Sequence, residues 1–192
     1  MKISAIILAA GGSTRMAGKN KLLLPYNNKS IINHVCRTVL NTGLNPVIVV
    51  TGFENIRVEE ELPRDINIII NNNDWKRGMA SSIYRGISAL SEDVHGSMIV
   101  LGDMPLITHL TLDLLIGEFK NHGGGKIVYP LYDNRQANPV IFPKKYFQEI
   151  LSSNGDRGCK KVLKKYPDDA IGIPIESDEV VLDCDTQDDY FL

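Results

Sequence analysis

"ISAIILAAGGSTRM", residues Ile3–Met16, decides the fold. Ile3–Leu8 is a nearly unbroken apolar run, the pattern of a strand covered on both faces. It ends in two adjacent glycines, Gly11 and Gly12, then a hydroxyl pair and an arginine. Ligands of open α/β sheets sit outside the carboxyl ends of strands. Glycine there tolerates positive φ and lets backbone N–H groups approach a ligand, and a row of such groups makes an anion nest. Arg15 adds a donor fork matched to phosphate oxygens, and Lys21 adds a point charge. The bland alternative is a tight strand-to-helix turn with surface cations. The generic phosphate loops do not fit. Gly12 and Gly18-Lys19 miss the Walker A spacing, Asn20 stands where Ser or Thr belongs, and the stretch is not G-x-G-x-x-G.

Working outward, Pro46–Thr51, Ile66–Ile70, Ser97–Leu101, Ile127–Tyr129, Val140–Phe142 and Val180–Leu182 also read as strands. Between them lie helical patterns at Ser30–Leu40, Met79–Leu90 and Leu110–Phe119. Ile31, Ile32, Val35, Val39 and Leu40 share one helical face, and Ser30 suits the N-cap. Strand–helix–strand alternation predicts an α/β chain: a mostly parallel central sheet with helices on both faces and right-handed crossovers. Lys126–Phe142 reads as a small β insertion. Gly123–Gly125 is too short for a linker, so the whole chain, residues 1–192, is expected to be one domain.

Bulk properties narrow the class. A content of 43% hydrophobic and 23% charged residues is ordinary for a globular chain of 192 residues. A net charge of -2 gives no electrostatic footprint for nucleic acid or an acidic membrane, so neither is an expected partner. Cys36, Cys159 and Cys184 are odd in number and far apart, against a disulfide framework or a thiolate metal cage. The first apolar run is short for a signal peptide, and no run approaches the ~20 residues of a membrane span. A reducing cytoplasm is the expected setting.

"LAAGGSTRMAGKNKLLLP" resembles the L-A-A-G-x-S-x-R-M … K-L-L-P signature of nucleotidyltransferases that activate a phosphorylated acceptor with an NTP. "WKRGMASSIYRGI" (Trp75–Ile87), "VLGDMPLI" (Val100–Ile107), "NPVIF" (Asn138–Phe142), "NGDRGCKKVL" (Asn154–Leu163) and "LDCDTQDDY" (Leu182–Tyr190) follow in the order of that family. The branch it resembles most is the molybdenum cofactor cytidylyltransferases. The resemblance covers nearly the whole chain and implies a Rossmann-like nucleotidyltransferase fold. The expected partners are CTP and a molybdopterin-type cofactor, with a molybdenum hydroxylase apoenzyme as recipient of the product. The N-terminal part would bind NTP and the C-terminal part the acceptor.

Residue by residue, the resemblance implies that Leu8, Ala9 and Ala10 present backbone groups to a base edge. Gly11, Gly12, Ser13, Arg15 and Lys21 would hold the phosphates, with Arg15 and Lys21 acting on the pyrophosphate as it leaves. Asp103 ends the strand "MIVLGD", and Asp183 and Asp185 form a D-x-D after "VVL". A strand's period of two would place the D-x-D carboxylates on one side. Asp103 and Asp185 match the family's magnesium ligands, so Mg2+ is the expected cofactor. For Asp183 the match implies no definite role, and a strand-end aspartate such as Asp103 can equally be a turn cap. Gly78 opens a helix at a base or ribose, with Met79, Ser81 and Ser82 as possible lining. Ser82 is the favoured nucleotide contact. The alternative makes Met79, Ile83 and Ile87 plain core.

For the acceptor, Gly155, Asp156 and Arg157 would grip its phosphate or pterin, although the same pattern describes an N-capped loop. Asn138 and Pro139 occupy a stretch where the family pattern has Gly-His before the proline. Asn138 stands at the histidine position, and an amide does not titrate near neutrality. The four histidines are scattered without metal-ligand spacing, and Cys159 and Cys184 lack a paired base. Transfer from GTP, another phosphate acceptor such as a sugar 1-phosphate or methylerythritol phosphate, and a non-catalytic cofactor carrier remain as rival readings.

Overall fold

Six of the seven residues of β1 (Ile3–Ala9) are fully buried, because the strand runs through the middle of the sheet with helices over both faces. The computed structural model describes residues 1–14, 16, 18–152 and 158–184. After β1 come the hairpin strands β2 (Pro25–Tyr26) and β3 (Lys29–Ser30), α1 (Ile31–Leu40), β4 (Val47–Thr51) and α2 (Asn55–Glu60). β5 (Ile68–Asn71), α3 (Met79–Ser88), β6 (Gly96–Leu101), α4 (His109–Asn121) and β7 (Ile127–Tyr132) follow. The chain continues through β8 (Arg135–Gln136), β9 (Val140–Pro143), α5 (Phe147–Ser152), α6 (Gly158–Lys165) and β10 (Ala170–Pro174).

Among the described residues the central sheet has eight strands, in the order β10-β7-β9-β6-β1-β4-β5, with β8 on β7. β6, β1, β4 and β5 are mutually parallel. β9 runs antiparallel to both β6 and β7. The segment expected as a β insertion therefore extends the same sheet. The period of two divides β1 between two cores. Ala5, Ile7 and Ala9 pack with Ile32, Val35 and Val39 of α1 and Leu112, Leu115 and Phe119 of α4. Ile6 packs on the other face with Ile83 and Ile87 of α3, Phe147 and Ile150 of α5 and Val162 of α6. The three expected helices form. Ser30 Oγ accepts the Asn33 N–H at 3.3 Å as the α1 N-cap, a bond worth about 1 kcal/mol.

One expected strand is absent. Ser177 caps a 3-10 turn at Asp178–Val180, and Val180 alone drops into the core while Val181 faces solvent. The last strand is instead β10, parallel to β7. "AIGIP" reads poorly as a strand because it holds a glycine and a proline. Gly172 is there for space: a Cβ would lie 2.4 Å from Leu131 Cδ1. Consequently Asp183 follows a turn rather than a strand, and the alternation argument for the D-x-D does not hold. Asp185 lies outside the described residues. Among the described residues no helix is long and apolar enough to cross a membrane.

Register places the site. Leu8 is level with Leu101, Ala9 with Thr51, and Thr51 with Asn71. Four parallel strands therefore release their chains at one edge. Val140 pairs with Ile99, so β9 begins where β6 ends, and Asn138 and Pro139 sit at that same edge.

Candidate active site

The exits of β1, β5 and β6 surround a cleft of about 530 Å³. Leu8, Ala10, Gly11, Gly12, Ser13 and Thr14 form one wall, with Lys21 and Leu22 beneath them. Trp75, Lys76, Gly78, Met79 and Ser82 form the second wall, and Leu101, Asp103 and Asp183 close the third. The exits are crowded. Gly102 N–H donates to the Leu8 carbonyl at 3.0 Å, and a Cβ on Gly102 would stand 2.8 Å from that oxygen. Only glycine lets β6 turn there and carry Asp103 over the end of β1.

At the second glycine of the loop, a Cβ would lie 2.7 Å from the Trp75 ring. The indole thus lies flush against Gly12, with the Phe53 ring centroid 5.5 Å away at a tilted angle of 55°. Beyond it the chain adopts positive φ at Ser13. The Ser13 carbonyl accepts from Met16 N–H at 3.0 Å. Its Oγ accepts the Lys21 N–H at 3.1 Å. The buried Asn20 side chain caps the 3-10 turn Lys21–Leu23 through Leu22 N–H at 3.1 Å and reaches the Phe53 carbonyl at 3.4 Å. These bonds fix the backbone on which Lys21 stands.

Lys21 Nζ forms an ion pair with Asp103 Oδ2 at the floor of the cleft. Both side chains are mostly shielded, 12% and 16% exposed, so screening by water is weak and the attraction is stronger than at a surface. The Asp103 carbonyl accepts the Cys184 N–H at 2.9 Å, which draws the C-terminal segment in and sets Asp183 in the cleft. Farther up that segment, Glu179 accepts from Thr108 Oγ1 at 3.2 Å and also from Thr111 Oγ1. Asp183 thus enters the site from a segment anchored to the first turn of α4.

The opposite wall rests on Asn72, completely buried at the end of β5. Its amide donates to Ser81 Oγ at 2.9 Å and to Ser82 Oγ at 3.0 Å. Ser81 Oγ lies 2.8 Å from the Gly78 carbonyl and 3.1 Å from that of Asp74, so its proton is spent on backbone. Ser81 is not part of the lining, whereas Ser82 is. Ile83 and Ile87 are core, but Met79 is 45% exposed at the rim, which separates it from the core reading.

Of the residues singled out from sequence, the structure gathers Leu8, Ala10, Gly11, Gly12, Ser13, Lys21, Gly78, Ser82 and Asp103 around one cleft. Ala9 points away into the core beneath α1. Asn138 and Pro139 lie at the same sheet edge but outside this lining, and Asn138 N–H donates to the Val180 carbonyl at 3.1 Å. Arg15, Gly155, Asp156, Arg157 and Asp185 lie outside the described residues. Sequence reasoning missed Trp75 and Asn72. Their signal was present in "NNNDWKRG": an isolated tryptophan in a polar turn one strand-exit away from a glycine loop needs a reason to be there. Burial pushes the Cys159 thiol up to about 12, so it stays protonated and is no nucleophile at neutral pH.

Asp103 and Asp183 offer hard oxygen donors of the kind Mg2+ or Mn2+ takes, one or two carboxylates with phosphates and water completing the shell. Among the described residues no three His, Cys, Asp or Glu side chains gather to hold a metal unaided. The residues therefore fit a cation that arrives with a phosphate ligand.

The chain is 28% identical over 191 residues to the molybdenum cofactor cytidylyltransferase of Escherichia coli K12, covering 98% of this chain and 93% of that protein. It is 26% identical over 173 residues to nicotine blue oxidoreductase of Paenarthrobacter nicotinovorans, covering 86% of this chain and 83% of that one. The crystal structure of Rv0371c from Mycobacterium tuberculosis superposes with a TM-score of 0.88 at 26% identity over 100% of this chain and 96% of its own. A manganese complex of that protein superposes at 0.83 with 23% identity, over 100% and 97% of the two chains. The model of the MobA-like NTP transferase domain matches residues 5–170, and the chain belongs to that family of nucleotidyltransferases.

Proposed function

We propose that the chain transfers CMP from CTP to the terminal phosphate of a molybdopterin-type cofactor and releases pyrophosphate. The observation that carries this reading is the Lys21–Asp103 pair on the floor of a glycine-walled cleft. It sets a cation for the leaving phosphates beside a carboxylate for a divalent metal. The similarity to a molybdenum cofactor cytidylyltransferase supports the choice of acceptor and nucleotide.

The acceptor phosphate is already ionised at neutral pH, so no strong general base is needed. Positioning and charge stabilisation supply most of the rate in phosphoryl chemistry. Its oxygen attacks the α-phosphorus in line and the bond to the β-phosphate oxygen breaks. Gly11 and Gly12 offer backbone N–H groups to the triphosphate, and Lys21 leaves Asp103 for the β- and γ-phosphates. Arg15, in this reading, assists on the same leaving group. Asp103 would hold Mg2+, with Asp183 and Asp185 as further oxygen donors, and the ion would supply charge neutralisation at the α-phosphate. The manganese complex of the mycobacterial structural neighbour supports a divalent ion in this fold. Asn138, Pro139, Gly155, Asp156 and Arg157 would form the acceptor side, so that one nucleotidyltransferase unit holds NTP in its N-terminal part and acceptor in its C-terminal part. A molybdenum hydroxylase apoenzyme would receive the dinucleotide product.

The test is pyrophosphate release with Mg2+, purified molybdopterin and each of the four NTPs. Release with CTP alone establishes the reading, whereas release with GTP alone moves the protein to guanylyl transfer. Redox turnover of nicotine blue without pyrophosphate release would instead align it with the oxidoreductase relative. Asp103→Ala should abolish turnover with the fold intact, and undiminished activity would remove the metal role.

A further inference from the structure

We infer that Asn72 is a positioning residue for nucleotide recognition: its buried amide fixes the Ser82 hydroxyl as a hydrogen-bond donor aimed into the cleft. The inference rests on the reading of that cleft as an NTP site. The amide's orientation follows from a neighbour that can only donate. Asp74 N–H is 3.0 Å from Oδ1 of Asn72, so that atom must be the carbonyl oxygen and the NH2 must face the serines. Both amide hydrogens are then used, one on Ser81 Oγ at 2.9 Å and one on Ser82 Oγ at 3.0 Å.

The two serines diverge from there. Ser81 gives its own proton to a backbone carbonyl, 2.8 Å away at Gly78. Ser82 sits 4% exposed in the lining, accepts from Asn72, and among the described residues has no acceptor for its proton. A buried hydroxyl in this state costs free energy until a ligand accepts from it. The site therefore selects a nucleotide group rich in lone pairs at that wall, such as a carbonyl oxygen of a base. A wholly buried asparagine with every polar atom satisfied has little freedom to reorganise, so the direction of the Ser82 proton is set before the nucleotide arrives.

Asn72→Asp tests this at nearly constant shape. A carboxylate accepts the Asp74 N–H as before, but its other oxygen now accepts the Ser82 proton and turns it out of the cleft. CTP affinity with Mg2+, read by calorimetry, should fall on the order of tenfold. Ser82→Ala should lose a similar factor, and the double variant should be no worse than either single one. In turnover the loss should fall on KM for CTP, with kcat nearly unchanged. Ser81→Ala, which removes the other acceptor of the Asn72 amide but leaves Ser82 and its bond to Asn72 in place, should change CTP affinity less than about twofold; this arm stands even if Asn72→Asp does not fold. Unchanged CTP affinity in Asn72→Asp, additive losses in the double variant, or equal losses in the two serine variants would each overturn the inference. Failure of the unmodified protein to bind any NTP would overturn the functional reading and this inference with it.

Discussion

Gly12 has no room for a methyl group, and the reason is a side chain rather than a ligand. The Trp75 ring occupies the space where a Cβ would go, at 2.7 Å. Gly12→Ala should push the indole outward and narrow the cleft. Trp75 is the only tryptophan of the chain, so its emission reports the shift. NTP affinity should fall by about tenfold, and an unchanged spectrum with unchanged affinity would show that the ring yields without consequence. The Lys21–Asp103 pair makes a second residue-scale demand. The two charges neutralise each other in a shielded place, and removing Lys21 takes that cation from the Asp103 carboxylate. Lys21→Met should destabilise by roughly 2 kcal/mol or more, while Lys21→Met with Asp103→Asn should recover part of that loss. Additive losses in a denaturant-melt cycle would mean that the pair contributes nothing as a pair. In assays, Lys21→Met should weaken NTP use more than acceptor use.

Elements were legible where one physical cause dominated. The buried strands at Ile3, Pro46 and Ser97 were readable because a doubly covered parallel strand must be apolar along its length, whereas the run at Ile66 was readable from its isoleucines although β5 is a half-exposed edge strand. α1 was readable from Ser30 and a single apolar face. β10 was not, because its glycine answers to Leu131 across the sheet and no local pattern encodes that. Val180–Leu182 failed for the opposite reason: three apolar residues satisfied the strand pattern, but Glu179 was already bound to Thr108 and Thr111, which turns the chain away from the sheet. Asp169 shows what does hold β10 in place. It accepts from Tyr146 Oη at 2.6 Å, Lys145 Nζ at 2.6 Å and Lys126 Nζ at 3.1 Å, tying the start of β10 to β7 and to the turn before α5. Hydrogen bonds from Lys145, Tyr146 and Lys126 hold its carboxyl well below the usual carboxylate range. A depressed folded-state value stabilises the fold above the unfolded value near 3.8, and that stability is lost as pH falls below it. Asp169→Asn should therefore lower Tm at pH 7 and converge with the unmodified protein as the medium is acidified past that point. A Tm gap that persists undiminished at pH 2 would assign the effect to shape rather than charge.

At the scale of the molecule, the site exists because four parallel strands end level and a segment from the far end of the chain closes over them. The glycine loop and "VLGD" were readable as a site from their own residues, since each lies at a strand exit. Their meeting was a matter of register, Leu8 beside Leu101. In the third wall, Asp183 depends on tertiary anchoring. Asp183 reaches the cleft because Cys184 N–H bonds the Asp103 carbonyl at 2.9 Å and because Glu179 grips the hydroxyls that open α4. Glu179 lies about 14 Å of extended chain at most from Asp183, by roughly 3.5 Å per residue, and is not one of the cleft-lining residues. If the anchor's task is to deliver Asp183, Glu179→Ala should leave CTP binding nearly intact without metal and lower metal-dependent turnover. The variant removes a buried acceptor of two hydroxyls, so about 1–3 kcal/mol of stability should go with it. Glu179→Gln, which keeps an accepting oxygen for the threonines, should recover most of the turnover. Wild-type turnover in Glu179→Ala would mean that contacts other than the Glu179 anchor, the Asp103–Cys184 bond among them, hold Asp183 in place, and equal loss of metal-free CTP binding would mean that the anchor supports the nucleotide wall as well.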